Sequence, residues 1–580
     1  MANTPAFDLD AFGNTPMNCM TLIAGKAASA TGHVLVGHNE DDGGHVVVRH
    51  GWVPPRDWEK GAVMPAEEGC ALLPQVAHTL GYYWVEYVED EGGVTAADAY
   101  LNECGVVVTS NSMGWSKEAD DDPNVVKDGG IGYVLRRALA ERAHTAREGA
   151  HVLMALIDEW GYAPSGRAYT IADKNEAFMF QLVRGRHYVG ARVPDDAVVV
   201  MPNHYTFHTL SDCPEMFYSK DIVRYAVEKG WYVPKTTDYS DFDFAEAYQG
   251  EKTWRHAGNL LRQKHGQRIV LGRDWDIERE GTPFCVYPHK PIDIETLARV
   301  MSCHYEGTQD DVDRFGPGRS PHNSPTARRI CTGTTLESDL WEFADEPWQT
   351  CVYTAFGRPC QVPYLPIHPL MGLPESIKAD GSSAELMAHH LERQPGATCA
   401  NDSAFDRFRR LCGAEEMLHS DVFDGVQPLL REIFAEARRE SVEALKLKDA
   451  AVRDEAFLQA ALAKLEAYAK RKFNMVEVVS ASEMRLSTEA AAISVEFAME
   501  GIPQEDTLRF GVEFTHVIDA FAPACGGSLR REGKNHWVAE FEFEPMKKVL
   551  PCPGRHTFFL GGRLEGGPAF AGRIVAEVKA

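Results

Sequence analysis

Cys19 heads a short apolar run, Met20-Thr21-Leu22-Ile23-Ala24, and Asp41 closes a second, Val34-Leu35-Val36, that ends in His38-Asn39-Glu40-Asp41. A polar turn holding Gly25 and Gly32 lies between them, so the pattern predicts two strands joined by a turn. Antiparallel pairing brings the head of the first strand beside the tail of the second, thiol beside carboxylate. If the 18 residues before it were removed, Cys19 would carry a thiol and an α-amine together. An α-amine titrates near pH ~8, close enough to neutrality to take the thiol proton. The thiolate is the form that attacks an amide carbonyl. Asp41 would then orient the ammonium that forms. The bland alternative for any one cysteine is a small buried apolar side chain.

A tetrahedral intermediate also needs donors for its oxyanion. Asn111 closes the run Val107-Val108-Thr109-Ser110 and could supply one amide, or simply cap the strand end. Metal motifs are missing: His38, His45 and His50 lack helical spacing, and no Cys-x-x-Cys or His-Glu-x-x-His occurs. His204 and His208 have that spacing, but Tyr205-Thr206-Phe207 between them reads as strand or loop. A P-loop and a Gly-x-Ser-x-Gly elbow are absent. The expectation is no metal and no cofactor.

The first hairpin, Gly25-Lys26-Ala27-Ala28-Ser29, Gly32 and Asn39-Glu40-Asp41, resembles the dipeptidase A and secernin family of N-terminal-nucleophile cysteine hydrolases. The resemblance continues through Tyr169-Thr170-Ile171-Ala172-Asp173, Val193-Pro194-Asp195-Asp196, Asn203, Asp243-Phe244, His304-Tyr305-Glu306-Gly307 and Pro363-Tyr364-Leu365-Pro366, covering roughly residues 19–470. It implies an α+β fold, the four-layer αββα sandwich of those hydrolases, and a small peptide as substrate. It also implies that Asn203 offers its amide to the oxyanion. From its internal position, Cys19 is expected to attack the Asn18 carbonyl and so release the leader. Distant cousins and many dipeptidase relatives carry arginine three positions before the carboxylate, where this chain has His38 in Gly37-His38-Asn39-Glu40-Asp41. A histidine makes no bidentate fork. His38 and Arg329, with its neighbour Arg328, are therefore the substrate-binding candidates, and surface charge is the competing reading for the arginines. Two other functions stay open: the same chemistry on a non-peptide amide, and a secernin-like interaction protein without catalysis.

At 580 residues the chain exceeds what one core usually organises. Residues 1–18 read as a leader, 19–472 as the hydrolase domain with a helical part from about 380, and 474–580 as a β-sandwich accessory domain. In the last, Trp537-Val538-Ala539-Glu540-Phe541-Glu542 alternates as a strand with one wet face must. Further upstream, Thr145-Ala146-Arg147-Glu148 reads as a capping box opening a helix whose stop is Gly161. A net charge of −26 disfavours nucleic acid and anionic membranes as partners. No apolar run is long enough to span a bilayer. The leader lacks a basic start and an apolar core, and the thirteen cysteines are scattered, which suits a reduced, cytoplasmic setting. A homo-oligomer stays open.

Overall fold

The computed structural model describes residues 19–41, 46–89, 96–114, 116–117, 125–251, 253–311, 329–332, 335–378, 390, 407–408, 423–447, 450–475, 477–478, 485–487, 492–512, 522–542, 544, 554–566 and 569–579. The leader, Asn18 and Arg328 lie outside them.

The two runs flanking the Gly25–Gly32 turn form antiparallel strands, Met20–Ala24 and Leu35–Asp41, with Thr21 opposite His38 and Met20 opposite Asn39. They are the third and fourth strands of a seven-stranded sheet. In spatial order it runs Cys285–Val286, Val198–Met201, Met20–Ala24, Leu35–Asp41, Thr335–Glu342, Cys351–Ala355 and Leu365–Ile367. A second sheet of eight strands runs Met216–Tyr218, Tyr188–Arg192, Ala177–Leu182, Arg167–Ala172, Val107–Ser112, Ala96–Asn102, Tyr82–Glu89 and Val46–Val53. One buried core joins side chains of both sheets, Ile23 and Val36 of the first with Val85, Leu101 and Met179 of the second. The fold is α+β.

Helices cover the sheets. Val134–Arg142 and Ala146–Trp160 pack on the second, where Leu135, Ala138, Leu153 and Ile157 share a core with Trp84, Tyr100, Ile171 and Phe178. Thr145 caps the second of these helices, accepting the Glu148 N–H at 3.1 Å. The Glu148 carboxylate reaches one residue further back than a capping box would have it, to the His144 N–H at 2.9 Å. Ala257–Leu271 packs on the first sheet so closely that a Cβ on Gly266 would stand 2.5 Å from a Val200 methyl. Ile294–Met301 lies across the same sheet, where the Met301 carbonyl accepts the Asn39 amide at 2.9 Å.

Two 22-residue helices, Phe423–Ala444 and Ala451–Lys472, pack against the strand Leu365–Ile367. A buried His368–Asp454 ion pair of 3.0 Å helps fasten them there. Beyond them lie two further sheets: a six-stranded one containing Gly554–Arg563 and Ala569–Lys579, and a four-stranded one containing Ala492–Ala498 and His536–Glu542. Phe497, Phe541 and Trp537 of the smaller share a core with Phe510, Phe558 and Phe570 of the larger. Trp537, Ala539 and Phe541 are buried as the expected alternation has it and Glu542 is exposed, but Val538 on the outer face is buried too and Glu540 is half-buried.

The turn of the first hairpin is locked from outside. A Cβ on Gly25 would sit 2.3 Å from the Pro194 carbonyl oxygen, and the Asp195 carbonyl accepts the Ala27 and Ala28 N–H groups at 2.7 and 2.9 Å. Gly25→Ala is therefore expected to destabilise the protein by about 1–3 kcal/mol, because backbone rather than a side chain must yield. Lys26→Ala, which removes a half-exposed 3.4 Å ion pair to Asp195, should cost under about 1 kcal/mol. Thermal unfolding of the two variants checks the contrast, and equal effects would refute it.

Candidate active site

The register of the hairpin strands sets the site. Thr21 pairs with Met201 on one side and with His38 on the other, so Cys19 stands at the strand end flanked by Asn203 and Glu40. Cys19 is buried, and its thiol points at the Asp41 main-chain carbonyl, 3.8 Å away. Asp41 is also buried; its Oδ1 accepts the hydroxyls of Thr332 at 2.5 Å and Thr335 at 2.7 Å. Burial raises the Asp41 pKa, while the two threonines and nearby Arg262 pull it back down.

Arg262 is a buried charge at this site to which the sequence does not point. It projects from the helix Ala257–Leu271, is almost wholly buried, and donates to the Cys19 carbonyl at 2.9 Å. It also donates to the Asn259 side-chain oxygen and, at 3.4 Å, to the Gly258 carbonyl. Burial lowers its pKa, opposed by Tyr305, Asp41 and Cys19. A guanidinium stays protonated over any ordinary pH range, so this is a fixed positive charge beside thiol and carboxylate. Nothing in the local sequence around position 262 marks it.

The two asparagines are both near Cys19 but are held differently. Asn203 donates its amide to the Ser112 carbonyl at 2.6 Å, and its main chain is clasped by Asn259, whose amide reaches the Asn203 carbonyl at 2.9 Å. Asn111 donates to the Met201 carbonyl at 3.3 Å and accepts the Thr21 hydroxyl at 2.6 Å, bridging the two sheets. Each amide nitrogen carries a second hydrogen beyond these bonds. Asn203 stands at the strand end with Cys19, whereas Asn111 sits one step inward as a clamp.

His38 does not occupy the place that Arg262 fills. Its ring is buried, with Nδ1 2.8 Å from the Thr21 hydroxyl and Nε2 3.2 Å from Glu40. Since Thr21 gives its proton to Asn111, the ring donates to Thr21. The polar chain His38–Thr21–Asn111 thus ties the hairpin to the second sheet. Arg329 is buried rather than a surface charge, and acts electrostatically on Tyr305 together with Arg262. Tyr305 is itself buried, stacked on His265 at 4.0 Å, and held at a left-handed φ of 71°. A cavity of about 470 Å³ lies beyond Asn203, lined by His204, His208, Asp243 and Trp254; Cys19, Asp41 and Asn111 do not line it.

The profile of peptidase family C69 matches residues 18–385. The chain belongs to that family. A dipeptidase of Bifidobacterium longum is 26% identical over 345 residues, covering 53% of this chain and 62% of the relative. A probable dipeptidase B of Lactococcus lactis is 23% identical, covering 54% and 65%. Dipeptidase A of Lactobacillus helveticus is 24% identical, covering 57% and 69%. The chain thus spans under two thirds of the length of the first two relatives. A solved structure of the C2A mutant of the conjugated bile acid hydrolase from Clostridium perfringens overlaps 59% of this chain and 89% of that one, with 10% identity and a TM-score of 0.28.

Between the sheets, next to His38, lies a pair of buried acids on the strand Thr335–Glu342. His50 places Nε2 3.1 Å from Glu337 and Nδ1 2.7 Å from the Tyr83 hydroxyl. Asp339 accepts the Thr354 hydroxyl at 2.6 Å. Burial lowers the His50 pKa to about 4 and lifts that of Glu337 from 4.5 to about 8. A carboxyl whose folded pKa is raised stabilises the fold fully below the unfolded value and loses that contribution as pH climbs through the window from 4.5 to about 8. Glu337→Gln removes this dependence. The melting temperature of the variant relative to the wild type should therefore rise between pH 5 and pH 8; parallel curves would show that Glu337 titrates normally.

Proposed function

We propose that this chain is a cysteine peptidase of the N-terminal-nucleophile type, built on a four-layer αββα frame, that hydrolyses dipeptides or short peptides once Cys19 is freed from residues 1–18. One observation carries the reading: Cys19 and Asp41 share one end of the central hairpin, the carboxylate anchored by two threonines and the Cys19 carbonyl held by a buried arginine. Helices on the outer face of each sheet support the layering. The family match, which opens at residue 18, and the dipeptidase relatives support the reaction class.

Freeing the nucleophile is the first step. The Cys19 sulfur attacks the Asn18 carbonyl, the acyl group moves from nitrogen to sulfur, and water hydrolyses the thioester, leaving a carboxylate on Asn18 and an α-amine on Cys19. In turnover this amine takes the thiol proton, and the thiolate adds to the substrate carbonyl. Asn203 supplies an amide hydrogen to the oxyanion. The ammonium, steadied by Asp41, returns its proton to the departing amine. Water then cleaves the acyl-enzyme by the same relay in reverse. The fixed charge of Arg262 holds the Cys19 main chain and favours the thiolate. No step calls for a metal or an organic cofactor. The two sheets at the C-terminal end carry no part of this chemistry and are read as an accessory domain.

Cys19→Ala is expected to abolish both hydrolysis of dipeptides and release of residues 1–18. Asn203→Ala should lower kcat by about 10²–10³-fold with a smaller change in KM, the usual cost of one oxyanion donor. Dipeptides and N-acyl amino acids assayed side by side define the substrate class. Undiminished turnover by Cys19→Ala would sink the proposal.

A further inference from the structure

Beside the threonine that anchors Asp41, three separate stretches of chain bring together His304, Cys331 and Cys360. His304 follows the helix Ile294–Met301, Cys331 precedes the strand Thr335–Glu342, and Cys360 follows the strand Cys351–Ala355. All three are buried, and their ligand atoms lie within 4.8 Å of one another. The two sulfurs are 3.3 Å apart. Two thiolates on one tetrahedral zinc, each at about 2.3 Å, stand about 3.8 Å apart. A disulfide requires about 2.05 Å. A half-ångström opening of the pair thus reaches the metal spacing, and a disulfide needs a larger closure. The reactions assigned to Cys19 use none of these three side chains.

We propose that His304, Cys331 and Cys360 form a zinc site with a water in the fourth position. Two thiolates and an imidazole are donors that select zinc over calcium or magnesium, which prefer oxygen. The ion takes the place of the thiol protons, so two protons leave for each zinc bound. It ties the loop after Met301 and the Cys360 segment to the stretch carrying Thr332. Thr332 in turn holds Asp41 at 2.5 Å, so the ion would brace the carboxylate from behind without touching substrate. The site does not depend on the peptidase reading. Sequence spacing hides it, because its ligands are separated by long stretches of chain rather than grouped in a short motif.

The test uses the full chain purified under reducing conditions and dialysed free of loose metal. Elemental analysis should find about one zinc per chain, and Cys360→Ser should lose nearly all of it while keeping a cooperative melt. Reconstitution of the wild type with cobalt should give a near-ultraviolet sulfur-to-cobalt charge-transfer band, which reads the ligands directly even if Cys360→Ser fails to fold. Three results would overturn the site: wild-type protein that takes up neither zinc nor cobalt, a folded Cys360→Ser that keeps its zinc, or a Cys331–Cys360 disulfide in the isolated chain.

Discussion

The constraint on which this structure rests is the burial of charge at one end of the central hairpin. Asp41 lies inside the protein, where an isolated carboxylate is strongly disfavoured. Two hydroxyls from Thr332 and Thr335 and the charge of Arg262 offset that penalty. Arg262 is buried too, and donates to Cys19, Asn259 and Gly258. Each charge is tolerated because the other is near. The strands, the helix Ala257–Leu271 and the stretch around Thr332 are the supports that keep the two in register. A thiol set among them is held in one orientation, which is what a nucleophile requires.

A second polar layer runs between the sheets. Thr21 and His38 from the hairpin meet Asn111, and His50 and Tyr83 of the second sheet meet Glu337 of the first. Interior hydrogen bonds of this kind are directional, so they fix how the sheets face each other where an apolar core would tolerate sliding. Position 38 belongs to this layer. His38 is short enough to bond Thr21 and Glu40 within it, and the positive charge beside Cys19 comes from a different element, the helix Ala257–Leu271.

The hairpin was legible in the sequence because its strands are apolar, its turn is marked by Gly25 and Gly32, and its closing carboxylate is local. Asn111 was legible as an amide closing a strand and Asn203 through the family resemblance, but only the register separates the one beside Cys19 from the one that clamps the sheets. Arg262 was not legible: it reaches Cys19 across 243 positions of sequence, from a helix with no unusual pattern. Glu337 and Asp339 were hidden for the opposite reason. Acids on a strand ordinarily face water, and here both are buried because His50 and Thr354 meet them inside. Arg329 looked equally like surface charge until the fold enclosed it. Residues that act at a distance in sequence become visible only once the sheets are paired.

The intact mass of the purified protein, read together with the site of labelling by a thiol-reactive amide mimic, tests the central claim most directly. The account requires active protein to begin at Cys19 and to carry the label on that residue. Full activity in a chain that still retains Met1–Asn18, or label confined to other cysteines, would contradict it.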